Sequence, residues 1–137
     1  MKTVEVKTAD LIGAALYWAV ATVEGMNPEP YFFQHGKRWV IQVLCDGYNP
    51  ERKVYWFEPS TDWSQGGPLI ERERISLTGP GCMGAAEPGK TWSAYIDTGS
   101  FGGGQSFFGP SPLIAACRAI VAAKLGDTVQ VPEELLP

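Results

Sequence analysis

Residues 84–91, GAAEPGKT, fit the phosphate-loop pattern G-x-x-x-x-G-K-[ST] at every position. Such a loop does nucleotide chemistry. Its amides cradle phosphates, the lysine (here Lys90) reaches toward the terminal ones, and the hydroxyl (here Thr91) sits on magnesium. That chemistry needs a buried strand before the loop and a helix N-terminus after it. The stretch before Gly84, LTGPGCM, is turn-like, and the stretch after it alternates as a strand does. A run resembling the second nucleotide motif, VIQVLCD at 40–46, ends in Asp46 but precedes the loop, whereas the usual order is the reverse. With 16 glycines in the chain, the match is read as a solvated turn.

Other residues with chemical potential do not converge. A metal site needs several His, Cys or carboxylate ligands together. The single histidine, His35, lies in a turn-like QHGK and reads as an exposed loop residue. Any Ser-His-Asp arrangement would have to use it, and no G-x-S-x-G elbow is present. Cys45, Cys82 and Cys117 are far apart and read as buried apolar thiols. ERER at 71–74 reads as an exposed charged helix end, and GSFGGGQ at 99–105 as a connection. The aromatics of YFF, 31–33, with Trp39, Tyr55 and Trp56, read mainly as core. Tyr55-Trp56-Phe57 cannot all point to one face of a strand, so some aromatic surface must meet solvent, another layer or a partner.

Composition narrows the classes. A chain of 137 residues is the length of one domain, and residues 1–137 are read as a single one. At 45% apolar with five Trp, it can build a core without disulfide or metal, and no cofactor is expected. Net charge is −4 and the basic residues are scattered, which excludes a nucleic-acid backbone binder. MKTVEVKTAD carries no apolar signal region, and no apolar run approaches the ~20 residues of a membrane span. A protein of the reducing bacterial cytoplasm, with no membrane contact, is expected.

The elements follow from periodicity and punctuation. TADLIGAALYWAVATVEG, 8–25, predicts a helix capped by Thr8, with Asp10 in its first turn and Gly25 as its stop. Residues 38–45 and 53–57 predict neighbouring strands around a turn-rich 46–52. In 59–75, Ser60 or Thr61 caps a helix with Asp62 in its first turn. Pro68 leaves open one kinked helix or two short pieces. TWSAYID, 91–97, predicts a half-buried strand, with a further short strand in 99–108. The last helix has Ser111 at its cap, Pro112 at its first position, Lys124 in its last turn and Gly126 beyond it. A short strand is expected at 128–131. Together these predict an α+β fold, a small antiparallel or mixed sheet with two or three helices packed on it.

Three stretches resemble a known family: 8–21, 59–73 and 109–135. Together they look like the NinX-like phage and prophage proteins, a family without an assigned activity. The resemblance implies a phage or prophage accessory protein with a small α-β-α sandwich-like fold, and it carries no catalytic residues across. Its most specific polar residues, Ser60, Thr61, Asp62, Trp63 and Gln65, with Arg118, are the candidate binding site. A structural reading stands beside this: the first three cap a helix, Trp63 packs, and Arg118 pairs with a carboxylate or with carbonyls. The leading functional expectation is a non-enzymatic module that binds a host or phage protein, with a homodimer left open. The alternative is a small-ligand or nucleotide-binding domain using 60–65 and the glycine-rich loops.

Overall fold

A computed structural model describes residues 2–26, 28–32, 38–46, 49–80, 91–97 and 103–137, with the strands between residues 29 and 55 described by their backbone. In chain order these form β1 (Thr3–Lys7), α1 (Gly13–Val23), β2 (Pro28–Phe32), β3 (Arg38–Asp46), β4 (Asn49–Trp56) and α2 (Trp63–Glu73). Then follow β5 (Ser76–Thr78), β6 (Trp92–Ile96), β7 (Gln105–Gly109), α3 (Pro112–Leu125) and β8 (Thr128–Pro132). Single 3-10 turns lie at Thr8–Asp10 and Glu133–Leu135. The α+β class agrees with the sequence. The strands, all antiparallel, divide among three sheets of the described residues: β1-β8, β2-β3-β4 and β5-β6-β7.

Helix α3 forms as its punctuation dictates. Ser111 Oγ accepts from the Ile114 amide at 3.2 Å, Pro112 opens the helix, and Gly126, at φ 98°, ends it. Its side chains serve two cores. Cys117 and Val121 join Leu16, Val20, Val129 and Val131, which belong to α1 and β8. Ala115, Ala116, Ala119 and Ile120 join Ala94 and Ile96 of β6. Alanine on so many faces lets neighbouring backbones come close, and each large apolar side chain fully buried contributes roughly 1.5–3 kcal/mol.

Helix α1 begins at Gly13, not after a Thr8 cap; its cap residue is Ile12, without a side-chain hydrogen bond. Thr8 is 1% exposed. Its hydroxyl donates to the Gly126 carbonyl at 2.7 Å, and its amide donates to the Asp127 carbonyl at 2.8 Å. A partner 118 residues away has claimed the side chain that local sequence assigned to the helix. Asp10 consequently falls in the preceding turn. The helix is buried nearly all round, as an apolar helix must be in a core.

Helix α2 is one continuous helix that accommodates Pro68. Its cap is Asp62 rather than Ser60 or Thr61, and it ends at Arg74 in the left-handed region, φ 53°. Its inward side is Gly66, Leu69 and Ile70. The ERER end is paired rather than idle. Arg72 makes a two-pronged ion pair with Glu24, at the end of α1, and also meets Glu73. Lys124 of α3 lies 3.8 Å from Glu73. These contacts tie the ends of three helices together and hold the Arg72 guanidinium above its ordinary pKa, Glu24 first and Glu73 second among the partners.

Strands β1, β2 and β5 were not anticipated. β1 exists through its register with β8, in which Val4 faces Val131 and Val6 faces Val129. β2 contains two prolines, which read as a helix stop, yet proline is tolerated on an edge strand, and β2 is an edge. β4 begins at Asn49, inside the turn-rich stretch. The half-buried reading of β6 agrees: Ala94 and Ile96 are buried and Tyr95 is exposed, with Ser93 buried as well. His35, Cys82, residues 84–90 and residues 99–102 lie outside the described residues, as do the side chains of Cys45, Tyr31, Trp39 and Tyr55.

Two neighbouring glycines should respond oppositely to alanine. A Cβ on Gly66 would collide with the Pro59 carbonyl oxygen and stand 2.7 Å from Leu113 Cδ2; one on Gly67 meets nothing within 4 Å. Gly66→Ala should cost about 1–3 kcal/mol. Gly67→Ala should be neutral or gain up to about 1 kcal/mol. Urea denaturation midpoints check both.

The Cys117 thiol is pushed up to about 12 by burial. Unfolded, it titrates near 9.0. Its raised folded value means the contribution to stability is whole below pH 9 and is lost as pH rises toward 12. Alkylation at pH 8 followed by peptide mass mapping should leave Cys117 unmodified until the chain unfolds globally.

Candidate functional site

The turn from β4 into α2 gathers five of the six candidate residues. Ser60 is 3% exposed, a buried polar residue beneath the turn. The Thr61 hydroxyl lies 3.1 Å from the Tyr17 hydroxyl of α1 and 3.3 Å from the Glu58 carbonyl it donates to. Asp62 Oδ1 accepts from the Ser64 amide at 2.9 Å and the Ser64 hydroxyl at 2.6 Å, closing the helix start. Gln65 is a clamp between strand and helix. Its Nε2 donates to the Trp56 carbonyl at 2.7 Å, while its Oε1 accepts from the Glu58 amide at 2.7 Å. These polar side chains are thus engaged with the chain's own backbone, which gives a stiff turn rather than a reactive cluster.

Trp63 behaves differently. The structural reading had it packing; it is 55% exposed. It sits at the first position of α2, where the helix has only just left the turn, so its ring is not drawn under the body of the protein. It borders a cleft of about 320 Å³, whose opposite wall is the first turn of α3 with Ser111, Pro112 and Ile114. Trp56, on the strand side of the same turn, is 41% exposed. The surplus aromatic surface expected from Tyr55-Trp56-Phe57 therefore meets solvent at Trp56, while Phe57 is buried.

Arg118 does not join this group. Its Nε donates to the Leu11 carbonyl and its Nη1 to the Phe108 carbonyl, each at 2.8 Å. It pairs with carbonyls, one of the two structural alternatives, and it lines a second, larger cleft of about 470 Å³. That cleft brings Arg118 beside Thr91, Phe107 and Phe108. Sequence reasoning missed it because its walls are contributed by residues far apart in the chain.

The geometry also bears on the phosphate-loop match. Strand β6 begins at Trp92, directly after Thr91, where the phosphate chemistry needs a helix. Among the described residues no group of three His, Cys, Asp or Glu could hold a metal ion, and no helix is long and apolar enough to cross a membrane.

A family model described as Bacteriophage P22, NinX, matches residues 7–124. The chain belongs to this NinX family. No curated protein matches it. Membership indicates a phage accessory protein. The NinX match spans the three α-helices but for the last residue of α3, and both clefts, with Asp62, Trp63, Thr91 and Arg118 inside it. β8, which the fold needs, lies beyond its end.

If Asp62 serves the helix and Trp63 does not serve the core, their replacements separate. Asp62→Ala should lower stability by about 1 kcal/mol. Trp63→Ala should change it by less than about 0.5 kcal/mol. Equal losses in urea denaturation would assign Trp63 to packing.

Proposed function

We propose that this NinX-family protein is an accessory module that acts in the bacterial cytoplasm by binding a host or phage protein through the face carrying Trp63. The observation that carries this reading is a solvent-facing tryptophan on a stiff mount. Trp63 is 55% exposed, yet the turn beneath it is held by Asp62 and Gln65. An indole in water loses apolar burial that a partner can restore, and tryptophan is enriched among residues that dominate binding energy. A pre-ordered mount lowers the entropy lost on association. Trp56 and the cleft edge at Pro112 extend the apolar surface on either side.

The alternative of a nucleotide-binding domain is weakened by β6, which occupies the place of the required helix. The clustered polar residues 60–65 offer it little, since Thr61, Asp62 and Gln65 are bonded within the fold.

Tagged wild-type chain and Trp63→Ala should be compared side by side in nuclease-treated lysate of infected cells, with quantitative mass spectrometry. A stoichiometric protein held by wild type should fall about 30-fold or more in Trp63→Ala, the effect of losing about 2 kcal/mol at a central contact. Retention by the variant, or no specific capture by either, would remove the proposal. Capture of the chain by itself, with concentration-dependent sedimentation, would identify the partner as a second copy.

A further inference from the structure

The cleft beside Arg118 has the size and wall chemistry of a small-molecule site. Its volume, about 470 Å³, falls within the ~300–1,000 Å³ usual for such sites. Ala9, Phe107, Phe108 and Pro110 supply apolar walls, and Thr91, Ser106 and Arg118 supply polar groups. Few polar groups in an apolar cleft are what orient a small ligand.

Among the described residues, Thr91 and Arg118 have capacity that the fold leaves unused. Arg118 is half-buried, and its hydrogen bonds to described residues go to the carbonyls of Leu11 and Phe108. Carbonyls orient a guanidinium but do not neutralise its charge. Burial lowers the Arg118 pKa, and Asp10, exposed in the neighbouring 3-10 turn, opposes this through space. A neutral donor would tie Leu11 to Phe108 without that cost. The Thr91 hydroxyl oxygen is shielded from solvent and has no hydrogen-bond partner among the described residues. A buried hydroxyl without a partner costs free energy, and native folds rarely keep one without use. A step of about 120° in χ1 re-aims the threonine hydroxyl, which lets Thr91 turn it to the cleft it lines.

We propose that this cleft binds a small aromatic carboxylate, its carboxylate on Arg118 and the Thr91 hydroxyl, its ring against Phe107, Phe108 and Pro110. A charge-assisted bond from a guanidinium to a carboxylate is stronger than one to a carbonyl. The phenylalanine rings favour an aromatic body by offset or edge contacts. A purely apolar ligand would leave the Thr91 hydroxyl without a partner and bring no countercharge to Arg118. A dianionic phosphate would bring a second charge to a described wall with one cation. This site is separate from the Trp63 face and does not rest on the protein-binding reading.

The test is calorimetric titration with 2-naphthoate and its neutral counterpart 2-naphthylmethanol. The acid should bind with Kd below about 1 mM, and the alcohol at least about tenfold more weakly. Thr91→Val removes a hydroxyl that has no partner in the free protein, so it should fold with unchanged or raised Tm and bind the acid at least about threefold more weakly. Arg118→Gln should weaken the acid by about tenfold or more. Trp63→Ala should bind it as wild type does. Equal affinity for acid and alcohol, no binding of either, or undiminished affinity in Thr91→Val would overturn the proposal. Should Arg118→Gln fail to fold, the acid-alcohol pair and Thr91→Val still decide it.

Discussion

Helix α3 has apolar neighbours on two sides, and the rest of the chain is arranged around that constraint. Cys117 and Val121 look toward α1 and β8; Ala115, Ala116, Ala119 and Ile120 look toward β6. The amides and carbonyls at a helix's two ends have no partners inside the helix. Ser111 answers one end from within the helix's own sequence. The other end is answered by Thr8, whose hydroxyl reaches the Gly126 carbonyl. The hydrogen bond from the Thr8 amide to the Asp127 carbonyl lies at the edge of the β1-β8 pairing, which runs from Lys7 opposite Thr128 to Thr3 opposite Pro132. Thr8 thus joins the end of α3 to the sheet that the first and last strands form.

The same helix sets the two surfaces that carry functional argument. At its first turn, Leu113 and the Pro59 carbonyl together leave room only for a glycine at position 66, which seats α2 close to α3. One turn further, Arg118 leaves the core side and bonds the Leu11 and Phe108 carbonyls, opening the second cleft beside Thr91. The approach of β7 is equally tight: a Cβ on Gly109 would stand 2.8 Å from the Ala115 amide nitrogen. The shape of the larger cleft, which Gly109 lines, therefore depends on this close approach of β7 to α3.

Legibility in the sequence followed the range of the forces. α3 and β6 were legible because their signals are local, a cap with proline at the start and a strict alternation. The boundary of α1 was not, because Thr8 looks like a cap to its neighbours and is used by Gly126 instead. β1 and β5 are short and owe their existence to distant pairing, Val4 with Val131 and Leu77 with Ala94. At the candidate site, the capping role in the 60–62 turn was readable, though it fell to Asp62, and so was the carbonyl pairing of Arg118. The exposure of Trp63 was not readable, since a tryptophan at helical spacing reads as core. The second cleft was invisible for the same reason as β1: Ala9, Thr91, Phe108 and Arg118 meet only in three dimensions.

A polar cluster specific to a family suggests a site, but here most of it is consumed by the backbone. Asp62 closes a helix, Gln65 bridges the Trp56 carbonyl and the Glu58 amide, and Thr61 meets Tyr17. Side chains already bonded in the resting fold have little left for a ligand, because each new bond would have to replace one of similar worth. Capacity for binding survives where the fold leaves a group incompletely used. Trp63 has apolar surface in water; among the described residues, Thr91 has a hydroxyl without a partner, and Arg118 has a charge met by neutral carbonyls and, through space, by Asp10. The first is on an open face and suits a large partner. The other two share a cleft of about 470 Å³ and suit a small one.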